Sequence, residues 1–159
     1  MPTPLNLDPG TWNSTVAAPY TLGETYSVGG KLYKYVLLSG AGGAVNATNG
    51  MVAEQYIATG HTVTLDRSDS TSSGLGRAPV GVFVGAVTAG NYGFIQIEGI
   101  HSAVKDAANA LALLGKVASH ATVDGDAKAV AAYTDITIGW ALAAAGGGTV
   151  PVYLTMGGA

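Results

Sequence analysis

The sequence predicts an all-β protein: a small barrel or sandwich of short antiparallel hairpins behind an extended N-terminal arm. Three observations predict it. Residues 80–99 and 138–157 align without a gap, so that Gly81, Ala86, Gly90 and Gly99 fall on Gly139, Ala144, Gly148 and Gly157. Each copy reads as an apolar strand opening near a glycine, a turn of small residues, and a second apolar strand stopping at glycine. Elsewhere Gly29-Gly30 and Asp124-Gly125 supply the positive φ that tight hairpin turns require, with strand-forming residues on both sides. Short strands with glycine punctuation at this spacing argue for a closed or two-layered β architecture.

Residues 1–22 hold four of the six prolines, at Pro2, Pro4, Pro9 and Pro19, and no hydrophobic period. Proline lacks an amide donor and biases its neighbours to extended backbone, so the segment is expected to be an arm. Trp12 stands out in it, because a large aromatic needs a surface to lie on, either its own domain or a partner. Residues 23–66 form an N-terminal β unit: the hairpin Glu24 to Leu38, a Gly/Ala/Asn loop over 40–50, and short strands at 52–57 and 61–65. Residues 67–77 are the most polar run and read as an exposed loop separating that unit from a second β domain, 78–159, which carries the duplicated hairpin. Within it, Val104, Ala107, Ala108, Leu111 and Leu114 also fit one short helix over 103–114.

Composition narrows the function. With 159 residues the chain can bury a core, yet only 11% are charged while 48% are hydrophobic and 24 are glycine. A chain so poor in charge is expected to hide surface against neighbours. Its net charge of −3 and lack of a basic cluster argue against a nucleic-acid partner. Cysteine is absent, so disulfides and thiolate metal sites are out. The most apolar stretch, 127–148, is interrupted by Asp135 and does not match a membrane-spanning helix. No secretory signal is expected at Met1.

Catalytic constellations are not evident. His61, His101 and His120 lack metal-ligand spacing. Asp66 and Asp69 lack the alternation of oxygen-ligated calcium loops, and no serine sits in a G-x-S-x-G elbow. Gly74-Leu-Gly76 is followed by Pro79 where a phosphate-binding helix should start. Hence no enzyme, cofactor or metal is expected. Tyr33, Tyr35, Trp140 and Tyr153, with Trp12, are the candidate interface anchors, core packing being the alternative for the first four.

One family comes into view in the C-terminal half. Gly81-Val-Phe-Val-Gly-Ala-Val-Thr-Ala-Gly-Asn-Tyr92, Ile95-Gln-Ile-Glu-Gly-Ile100, Gly115-Lys-Val-Ala118, Asp124-Gly-Asp126, Ile138-Gly-Trp-Ala-Leu-Ala-Ala-Ala145 and Val152-Tyr-Leu154 resemble the capsid cement, or head decoration, proteins of tailed bacteriophages. The resemblance covers about residues 78–157 and rests on small residues within hairpins. It implies a structural virion protein, made in the host cytoplasm, that binds the capsid surface. The implied partners are the major capsid protein and its own copies, commonly as a homotrimer. A tail or head-fibre base protein is the alternative reading, and a glycan-binding β-barrel or enzyme a more distant one.

Overall fold

A computed structural model describes residues 20–41, 44–56, 60–66, 78–107, 111–120, 123–131 and 136–156. Most of the described chain is strand. The first hairpin forms as its sequence dictates: β1 (Thr25–Val28) and β2 (Lys31–Leu38) meet at Val28 and Lys31, with Gly29 and Gly30 at φ 59° and 75°. Then follow β3 (Val52–Gln55), β4 (Thr62–Thr64), β5 (Pro79–Phe83), β6 (Tyr92–Asp106), β7 (Lys116–Ser119), β8 (Ala127–Ala129), β9 (Thr137–Ala141) and β10 (Gly148–Thr155).

The organising element is β6, fifteen residues long, which changes partners along its length. Over Tyr92–Glu98 it pairs with β2, and at Ile95 and Gln96 with β5 on its other edge. From Glu98 to Asp106 it pairs with β10, and at Asp106 with β8. The pairings therefore close two rings. One runs β2-β4-β3-β5-β6 and back to β2; the other runs β6-β10-β9-β7-β8 and back to β6. Two small barrels share one strand.

The barrels are copies of one plan. Each contains a single parallel step, β2–β4 in the first and β6–β8 in the second, and otherwise antiparallel pairs. The isolated bridge Ala47↔Val87 has its counterpart in Leu111↔Ala145. The Gly50 amide donates to the Phe83 carbonyl at 2.8 Å, and the Leu114 amide to the Ala141 carbonyl at 2.8 Å. Even the backbone twist is repeated: Gly50 has φ 90°, and Leu114 at the matching turn has φ 60°, the one positive-φ non-glycine among the described residues. The duplication visible in the two hairpins thus extends over five strands per copy.

Several expectations need correction. The hairpins are equivalent in plan but not in gapless register: Val82 faces Gln96, whereas Trp140 faces Tyr153 rather than Leu154. A separate register shift lies in the β6–β10 pairing between Val150 and Val152, where Pro151, which has no amide to give to a ladder, stands opposite Ser102 and Ala103. The helix fitted to 103–114 is replaced by the end of β6, where Val104 and Asp106 are buried and Ala103 and Lys105 half-buried with strand alternation, followed by the Leu111 bridge and a turn at Leu113 and Leu114. The boundary between 23–66 and 78–159 does not divide the structure, because β3 pairs with β5 and β2 with β6 across it. The loop 67–77 itself lies outside the described residues.

Each barrel encloses its own core. Val36, Leu38, Phe83 and Ile95 fill the first; Val104, Leu111, Ile138 and Leu154 belong to the second. Val52 and Val82 point from the outer face of the first barrel and join the second cluster, so they mark where the barrels press together. Gly50 completes that joint. Its carbonyl accepts a hydrogen bond from the Lys105 amide at 2.9 Å, and a Cβ on it would run into the Ala103 carbonyl.

Candidate interaction surface

The five anchor residues read from the sequence have separate fates. Trp12 lies outside the described residues. Tyr33 and Tyr35 are buried, 7% and 1% exposed, in a cluster with Phe94. Alternation along β2 turns Val36 and Leu38 inward, and so puts both tyrosines on the barrel's outside. There they are roofed by Tyr20, Leu22 and Tyr26. Tyr20 meets Tyr35 edge-on at 5.2 Å and Phe94 at 5.4 Å, within the range where aromatic pairs attract. The two tyrosines are therefore core residues, not surface anchors, and the arm ends sooner than residue 22. We expect Tyr20→Ala to lower unfolding free energy by about 2 kcal/mol, from lost ring contacts and apolar burial. Urea unfolding measures it, and an unchanged midpoint rejects the roof.

Trp140 and Tyr153 are brought together. They face each other on β9 and β10, 38% and 43% exposed. Tyr153 also faces Ile100 on β6, itself 49% exposed, and Trp140 faces Lys116 on β7. Lys116, Trp140, Tyr153 and Ile100 thus make one row across four neighbouring strands on the outside of the second barrel. Residues directly opposite in an antiparallel pair project from the same face, so the row is a continuous surface.

The same four ladder positions in the first barrel are Val52, Val82, Gln96 and Tyr33. All are buried, none more than 7% exposed. Val52 and Val82 are covered by the second barrel, and Tyr33 by the segment 20–26. The two faces are equivalent by construction and opposite in exposure. Ile100 and Lys116 escape a reading of the sequence, since only the pairing places them beside the aromatics.

Elsewhere the chemistry is thin. Among the described residues no group of three or more His, Asp or Glu could hold a metal. A cleft of about 550 Å³ opens at one end of the first barrel, between Leu32, Lys34, Pro79, Ile97, Ile136 and Met156. Its lining carries neither an aromatic ring for stacking a sugar nor a carboxylate for acid–base work. His101 is buried just past Gly99, where β6 passes from one barrel to the other, and its Nδ1 accepts the Ala103 amide at 3.2 Å. Burial, with a smaller contribution from the nearby Lys31 charge, holds this imidazole down at about 4, against a partly opposing hydrogen bond to the Phe83 backbone. It stays neutral through the physiological range. No protein-family model matches the chain, and no curated protein matches it.

Proposed function

We propose that this chain is a structural virion protein that binds the outer surface of a phage capsid and stabilises the shell, with the major capsid protein as its partner and no enzymatic activity. The supporting observation is the open apolar row of the second barrel. A low-charge chain that buries this row in one barrel and leaves it open in the other is suited to assembly, whereas the cleft between Leu32, Lys34 and Met156 offers no carboxylate for acid–base work. A ligand that binds only the assembled lattice stabilises that lattice by mass action, and many copies add weak contacts together. In this reading residues 1–19 reach the shell, with Trp12 burying its ring there.

The test uses purified shells lacking the protein. The full chain is expected to co-sediment with shells and to raise the temperature at which they open. Binding no tighter to shells than to free capsid subunits sinks the reading. Deleting residues 1–19, or Trp12→Ala, is expected to leave the melt of the free protein in place while weakening shell retention about tenfold or more, the value of one well-buried aromatic. A lowered melt with intact retention would instead make the arm part of the fold.

A further inference from the structure

The exposed row has an order that matters. Lys116 is at one end, Trp140 and Tyr153 are in the middle, and Ile100 is at the other end with Glu98 two residues back on the same strand. Glu98 is exposed and faces the exposed Thr155 across β10, on the side of the sheet that Tyr153 occupies. At about 4.8 Å per strand the row is about 14 Å long. It is basic at one end, apolar through the centre and acidic at the other.

We propose that this face is a contact between two copies of this chain related by a two-fold axis lying along the strands between β9 and β10. That axis lays the row on its copy in reverse. Tyr153 packs on Trp140 of the other copy, and Ile100 packs on the aliphatic stem of Lys116. The ammonium of that lysine then comes within reach of Glu98. Each copy presents both halves of the contact, as a closed two-fold interface requires.

Two features of the chain point to a second copy rather than another occupant. The first barrel already shows what covers these positions, because Val52 and Val82 are closed over by a barrel of the same plan. The second barrel is also altered so that this intramolecular mode cannot repeat. Where the joint uses the bare Gly50 against the Ala103 carbonyl, the second barrel has Leu114; where it uses Val52, the second barrel has Lys116. End-to-end addition of further barrels is thereby blocked, and the self-complementary row remains. A two-fold contact closes on two copies, in place of the three-fold association that the family resemblance implies.

The test is sedimentation velocity of the full chain across a concentration series. A concentration-dependent dimer is expected. Trp140→Ala is expected to weaken it about thirtyfold, as truncation of a central aromatic does. Lys116→Glu and Glu98→Lys should each weaken it about tenfold, and the double reversal should restore it to within about threefold of the parent. Melts of dilute, monomeric variants should match the parent, separating association from folding. A monomer at every concentration, a trimer, or a dimer indifferent to Trp140→Ala overturns the contact, and failure of the double reversal to rescue overturns the reversed order. The result is independent of shell binding: a chain that dimerises but ignores shells keeps this contact and loses the capsid reading.

Discussion

Gly50→Val is expected to destabilise the protein by about 4 kcal/mol, the largest effect of any single substitution considered. Three costs add at this position. A side chain at φ 90° is strained by about 1–2 kcal/mol. The new Cβ meets the Ala103 carbonyl, which is backbone of the shared strand and cannot rotate away, and overpacking of that kind costs about 1–3 kcal/mol. The hydrogen bond from the Lys105 amide to the Gly50 carbonyl is then stretched, a loss of about 1 kcal/mol. Gly146→Ala is the control, since a Cβ there meets nothing within 4 Å. Urea unfolding of both variants decides the matter; equal midpoints would mean that the barrels are not pressed together at Gly50.

Acidification is expected to weaken the fold through His101. The folded protein holds this imidazole at about 4, whereas an unfolded chain protonates histidine near 6.5. Between those values the unfolded state binds more protons, so stability falls as pH drops from about 6.5 to 4 and the loss is complete below that. The difference corresponds to about 3 kcal/mol. Burial also raises the Asp126 carboxyl, which acts in the opposite direction. The informative quantity is therefore the difference between parent and His101→Gln. The variant should lose less stability between pH 7 and 4.5. Parallel pH curves for the two proteins would remove His101 as the cause.

Local chemistry made part of this structure legible. Gly29-Gly30 and Asp124-Gly125 announce turns because only left-handed backbone closes them tightly. The hairpin duplication was readable because Gly81 and Gly139 meet similar demands: a Cβ on Gly81 would strike Ile95, and one on Gly139 the backbone of Tyr153. The rest of the duplication is carried by backbone pairing while the side chains have diverged. Gly50 answers to Leu114, Val52 to Lys116 and Tyr33 to Ile100, and no residue-by-residue comparison links such pairs. The helix expected at 103–114 rests on apolar residues that recur every three or four positions, whereas β6 takes only Val104 from that set and buries it at period two with Asp106. Tyr33 and Tyr35 are anchor candidates in the sequence with core packing as the alternative, and the alternative holds. What hides them is Tyr20 and Leu22, which proline-rich surroundings had assigned to the arm. Trp140 and Tyr153 were found for their size, but Ile100 and Lys116 become their neighbours only once strand order is known.

The shared strand also has a mechanical meaning. Two barrels joined by a linker transmit a pull through whatever non-covalent contact they keep, and such contacts peel apart. Here the tensile path is the covalent backbone of β6 itself. A force drawing the barrels apart runs along that strand and tries to slide it past β2 at one end and β10 at the other, both laid antiparallel against it. Sliding loads many ladder bonds at once, where peeling would break them in turn. Stretching a protein of this build would load one strand gripped along both of its halves.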